Sequence, residues 1–132
     1  MADMAVVVPT IGGDPELAAL SAAAHAYEDA LAAGDTAAAA GFFDDDPRTS
    51  RFGPDGAQLD LAHVQALRAA TAPTPPAAWL HDSVRVIGPG VALHLAILDR
   101  CGVTLQRTHV WVRRADGWLI THAHVARLGA SS

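Results

Sequence analysis

The sequence holds one tyrosine, seven histidines and nine cationic residues, and every one of the nine is an arginine. With no lysine, Schiff-base and lysine-base chemistry is excluded. A guanidinium keeps its charge when desolvated and grips a carboxylate with two parallel donors. Arg51 follows the acidic, proline-broken turn Asp44-Asp45-Asp46-Pro47 and is the candidate anion anchor; the plainer alternative is an ion pair with one of those aspartates. Tyr27 recurs with Leu17, Leu20, Ala24 and Leu31 at helical spacing, so its ring belongs to an apolar face and its hydroxyl needs a partner. In a pocket such a phenol donates to a developing oxyanion or passes a proton. In a core it bonds a carbonyl.

The histidines form the next constellation. His122 and His124 alternate with Trp118 and Ile120 along one segment, so a strand there puts all four on one face. A two- or four-residue turn before that strand places Arg107, His109 and Trp111 on the same face; a three-residue turn reverses them. The set suits anion binding and proton movement near neutral pH, with His124 as acid or base and Arg107, His109, Trp111 and His122 as substrate contacts. Three imidazoles on neighbouring strands can also hold a metal. No HxxxH or carboxylate–histidine spacing supports that, so neither metal nor cofactor is expected. His94 faces either inward or a subunit seam, and His25 and His63 fall on helices, at the surface or an edge. Asp44–Asp46 reads as a solvated turn in which Asp46 orients Arg48. Cys101 sits in a hairpin turn with only Arg100 as a basic neighbour, which does not make a nucleophile. No glycine-rich phosphate loop, Ser-His-Asp order or paired-carboxylate motif is present.

The elements that must position these groups follow from punctuation and periodicity. Residues 1–13 read as a flexible tail, 14–128 as one domain and 129–132 as a second tail. Asp14 caps a helix with Pro15 in its first turn, and Gly34 stops it. Asp35 caps a short second helix to about Phe43. Thr49–Phe52 is a short strand, and Asp60 caps a third helix with Leu61, Val64 and Leu67 as its apolar stripe. After a proline-rich loop, Trp79–Ile87, Val91–Leu98, Val103–Val112 and Trp118–Leu128 read as strands parted by turn residues. Hairpins following a helical half make an α+β domain, an antiparallel sheet with helices on one face.

Composition narrows the function classes. The 132 residues suffice for one core, about half of them are apolar, and the net charge is −5. No basic stretch follows a phosphate backbone, and no apolar run reaches a membrane span, so neither nucleic acid nor membrane is an expected partner. The single cysteine and the unflanked N-terminus point to a cytoplasmic protein.

The run Ala26–Leu31, Phe42-Phe43, Asp45-Asp46-Pro47-Arg48-Thr49 and Arg51-Phe52-Gly53 resembles the AtzH-like family of the NTF2-like (SnoaL-like) superfamily. The segment Trp111–Ile120, continuing to His124-Val125, resembles its closing hairpin. The resemblance implies a cone, a curved antiparallel sheet wrapped over three N-terminal helices in the order ααβαββββ, dimeric through the sheet's outer face. It implies action on a small polar or anionic substrate, hydrolysing or decarboxylating a dicarboxylated urea, with Tyr27 and Arg51 at the family's essential positions. Arg107, Thr108 and His109 stand where glutamine-like residues are usual, and His122 where a small one is. Those departures keep two further readings in view: a SnoaL-like cyclase, isomerase or hydratase, and a non-catalytic accessory subunit of an amidase.

Overall fold

The structure, a computed structural model, describes residues 14–70 and 72–128, so the expected tails at 1–13 and 129–132 lie outside the described residues. Its elements are α1 (Asp14–Ala33), α2 (Thr36–Gly41), β1 (Ser50–Gly53), β2 (Gly56–Gln58), α3 (Leu61–Ala70), β3 (Ala78–Gly88), β4 (Val91–Arg100), β5 (Val103–Arg114) and β6 (Gly117–Arg127). The expected helix boundaries have visible causes. Gly34 ends α1 at φ 71°, and a Cβ there would lie 2.6 Å from the Pro73 ring. The Asp35 side chain accepts from the Ala38 N–H at 3.1 Å, and that of Asp60 from the His63 N–H at 2.9 Å, which supplies α2 and α3 with N-caps.

The four long strands run as successive antiparallel hairpins in one curved six-stranded sheet of order β2-β1-β6-β5-β4-β3. The β4–β5 turn is Cys101-Gly102, with φ of 55° and 82°, the positive pair that matches the twist of the flanking strands. β1 joins the other edge parallel to β6, setting Arg51 beside Ala123, and β2 folds back so that Gln58 pairs with Arg51. The sequence reading has no β2, because Gly-Ala-Gln shows neither alternation nor strand propensity.

The helices cover the concave face. Leu20, Ala24 and Tyr27 of α1, Ala39 of α2 and Val64 of α3 pack with Phe43, Ala92, Trp111, Trp118 and Ile120 into one core. Trp111 is its centre, fully buried between Ala92 on β4 and Ile120 on β6. Asp44 corrects the solvated-turn reading: it is 3% exposed and takes both prongs of Arg114, at 2.6 and 2.9 Å. Asp46 does orient Arg48, accepting from its backbone N–H and its guanidinium.

One irregularity decides which histidines meet the cavity. The β5–β6 turn has two residues, Ala115-Asp116, so Trp118 and Ile120 begin on the face of Trp111. The register then shifts: Trp111 opposes Ile120 while Val110 opposes His122, and Thr121 is left over. One extra residue exchanges the faces of everything beyond it. Ala123, Val125 and Arg127 therefore line the concave side, and His122 and His124 point outward. The expectation that these two share a face with Arg107, His109 and Trp111 is corrected by this bulge.

Candidate functional site

The open end of the cone holds a cavity of about 430 Å³. Its wall takes Tyr27 and Leu31 from α1, Arg51 from β1, Pro54 and Asp55 from the β1–β2 turn, and Arg68 from α3. Thr74 of the proline-rich loop, Arg100 of β4, Leu105, Arg107 and His109 of β5, and Ala123, Val125 and Arg127 of β6 complete it. Five of the nine arginines thus surround one small space, although the chain as a whole is acidic.

The arginines are not equivalent. Glu28, buried beneath the cavity, takes Arg107 on one oxygen and Arg100 on the other, each at 2.8 Å. Burial opposes the Glu28 charge, but the two guanidiniums outweigh it and hold its pKa below the ordinary carboxylate value. Arg100 also donates to the Pro75 carbonyl. Arg107 keeps its buried Nε and Nη2 without a partner, and so does Arg68 its Nε. Arg68 is 6% exposed and makes no hydrogen bond or ion pair among the described residues. Arg51 gives its Nη1 to Asp55 at 3.0 Å and Gln58 at 3.1 Å, so its partner is the β1–β2 turn and not Asp44–Asp46. Its guanidinium lies over Gly53, where an added Cβ would sit 2.6 to 2.8 Å from Nη2, Nη1 and Cζ. Glycine at 53 is what lets the side chain turn back into the cone.

Tyr27 enters from α1, with Phe42, Phe43 and His109 edge-on to its ring at 5.4 to 5.7 Å between centroids. The Arg107 guanidinium stands over the ring at 5.8 Å. The phenol hydroxyl bonds to none of the described residues. His109 is 1% exposed, and burial, followed by Arg107, His94, Arg68 and Arg51, drives its pKa well below the ordinary 6.5. It is therefore neutral at physiological pH. A single row runs across the sheet: His94, His109, Ala123 and Arg51 are lateral neighbours on four strands.

The structure thus brings together Tyr27, Arg51, Arg107 and His109. Trp111 belongs to the core and does not reach the cavity. On the convex side, His122 bonds the Ser50 hydroxyl at 2.8 Å, and Phe52 packs edge-on to His122 and His124. Arg68, Arg100 and Arg127 are cavity residues the sequence reading missed. For Arg68 a signal existed: Leu61, Val64 and Arg68 fall at i, i+3 and i+7, one face of α3.

Comparison with known proteins agrees with this architecture. A protein of unknown function from Pectobacterium atrosepticum matches with a TM-score of 0.80 at 25% identity, over 92% of this chain and 100% of that one. A cystatin-like fold protein from Burkholderia xenovorans gives 0.80 at 26%, over 89% and 95%. An NTF2-like superfamily protein from Salmonella enterica gives 0.73 at 15%, over 92% and 96%. No curated protein matches this chain. Fold and cavity together define an NTF2-like α+β cone. The AtzH-like family profile matches residues 10–131, and the chain belongs to that family. No helix among the described residues is long and apolar enough to cross a membrane.

Proposed function

We propose that the cavity binds a small carboxylated amide or urea derivative and cleaves it by hydrolysis or decarboxylation. The observation that carries this reading is the convergence of five arginines on one small cavity, with Asp55 the only carboxylate in its wall among the described residues. A site of that sign selects an anion, and fixed guanidiniums stabilise charge that grows during reaction. Arg51 takes a carboxylate with the donors that Asp55 and Gln58 leave free. The Tyr27 hydroxyl stabilises the developing negative charge or relays a proton. His109, neutral and in the wall, serves as the proton-exchanging group, since His124 stands on the other side of the sheet. Kinship with the AtzH-like family makes a dicarboxylated urea the first compound to test. The purified protein should consume it faster than buffer alone, followed by NMR of the urea carbon and by carbon dioxide release. Absence of both binding and turnover would end the reading. Tight binding without turnover would favour the accessory-subunit alternative.

The convex face supports pairing with a second copy. Leu95 on β4 is 37% exposed and Phe52 on β1 is 41% exposed, with Leu93, Ile97 and Val110 half-buried beside them. A contiguous apolar patch across one sheet face favours a like partner. Light scattering should give twice the 13.7 kDa chain mass, and Leu95→Glu should return it to one. A monomeric wild-type protein would remove the dimer from the reading.

A further inference from the structure

Arg68 carries its charge into the interior and meets no counter-charge there. It is 6% exposed and forms no hydrogen bond or ion pair among the described residues. A guanidinium that is both desolvated and unpaired destabilises the ligand-free fold. The nearby carboxylates are already engaged. Glu28 is divided between Arg100 and Arg107, and Asp55 is bonded to Arg51. Arg127 lacks a partner too, but it is exposed, and water solvates it.

The helix face explains how the charge is held. Leu61, Val64 and Arg68 share the inward side of α3, with Val64 fully buried. Arg68 borders two spaces. One is a crevice of about 10 Å³ against Ala30, Leu31 and Ala39, too small for a ligand. The other is the 430 Å³ cavity. Its Nε is sealed and unbonded, whereas Nη1 and Nη2 are unbonded without being sealed. The outer edge of the guanidinium, which carries two parallel N–H donors, therefore opens into the cavity.

Arg51 serves the same end of that space. Burial raises the pKa of Asp55, but its bond to Arg51, with Arg68 adding to the effect, holds it below the ordinary carboxylate value. The His109 ring feels both guanidiniums as well. Arg51 arrives from β1 and Arg68 from α3, so two independent elements bring two cationic forks to one region.

We propose that Arg68 is a specificity-determining residue: its Nη1 and Nη2 receive one acid group of the ligand while Arg51 holds another, so the cavity selects a short dianion over a singly charged molecule of the same shape. The inference rests on the proposed function, which it deepens by assigning the second acid group a seat. A diacid pairs both guanidiniums. A monoacid leaves Arg68 as it stands in the empty protein, buried and unmatched, and a site that loses such a pairing rejects the lesser ligand strongly. Stability of the empty fold is given up for that selectivity.

The test is isothermal titration of the full chain with malonate and with malonamate, which are nearly equal in size and differ by one charge. The wild-type protein should bind malonate more tightly by about tenfold or more. Arg68→Met keeps an unbranched stem and removes the charge. It should bring the two affinities to within about twofold of each other, with malonamate binding unchanged. Arg68→Lys should retain part of the preference. Without ligand, Arg68→Met should melt at or above the wild-type temperature, because an apolar side chain replaces an unpaired buried charge. Malonate should raise the melting temperature of the wild-type protein more than that of the variant.

Failure of malonate to bind, equal wild-type affinity for the two ligands, or a preference that survives Arg68→Met would overturn the proposal. Parallel weakening of both ligands in Arg68→Met would do so too, since it would put both arginines on a single acid group. The reaction is judged separately. Charge discrimination that depends on Arg68, in a protein that turns over no carboxylated amide, would leave the seat intact and sink only the chemistry. Turnover with no such discrimination would do the reverse.

Discussion

Arg51→Ala lowers kcat/KM for a dicarboxylated urea by about a hundredfold or more, which is about 3 kcal/mol of transition-state stabilisation. Arg51 is 7% exposed, pairs with Ala123 in the sheet, and lines the cavity with the guanidinium donors that Asp55 and Gln58 leave free. Tyr27→Phe produces a loss of the same order by a narrower change. The ring stays, with its contacts to Phe42, Phe43 and His109, and only the hydroxyl goes. Because that hydroxyl bonds to none of the described residues, the melting temperature of Tyr27→Phe stays near the wild-type value while kcat falls. Gly53→Ala should reproduce a milder Arg51 defect, since a methyl group at 53 displaces the guanidinium without removing it. Steady-state kinetics on the three variants checks this. Wild-type turnover in both Arg51→Ala and Tyr27→Phe would leave the cavity without its assigned chemistry.

Glu28→Ala should destabilise the fold strongly. It strands Arg107, 5% exposed, and Arg100 without the carboxylate that both share. Removing one partner of a buried ion pair costs about 3–5 kcal/mol, because the remaining charge stays desolvated and uncompensated. Urea denaturation should show the midpoint falling with little change in slope. The same groups predict an acid limit. Glu28 has a folded pKa below its ordinary 4.5, so its contribution is complete above that value and is lost as pH falls through the folded pKa. His109 acts earlier. It resists protonation when folded, so the unfolded chain binds the proton first, and stability declines as pH falls below about 6.5. Denaturation between pH 7.5 and 4 should show that earlier decline, and His109→Gln should lessen it, with His94 and His122, whose pKa values are also lowered by burial, carrying the remainder.

The helices and long strands were legible because each carries a repeating signal. Caps at Asp35 and Asp60, the stop at Gly34 and the hairpin punctuation all sit where the chain turns. The family motif brought Tyr27 and Arg51 forward, and both reach the cavity. The facing of the last strand was not legible, because a bulge is one unmarked residue: nothing in Ile120-Thr121-His122 distinguishes it from a continuous strand, yet it moves two histidines across the sheet. Arg68 escaped because a charged side chain at a core-facing helical position is discounted by habit, although spacing alone placed it there. The partner of Arg51 escaped for another reason. Asp55 and Gln58 come from a hairpin whose second strand is three residues long, too short to leave a pattern. His94 could not be assigned a side until the β4–β5 register was known.

The leftover residue at Thr121 also bears on how relatives of this protein are compared. Up to Ile120 a position in the last strand reports on one surface, and after it the odd and even columns trade meanings. Two sequences aligned without a gap, one with the kink and one lacking it, would place a cavity-facing imidazole and one on the convex face in the same column. A histidine in the columns of His122 and His124 therefore speaks about chemistry only in those relatives that lack the extra residue.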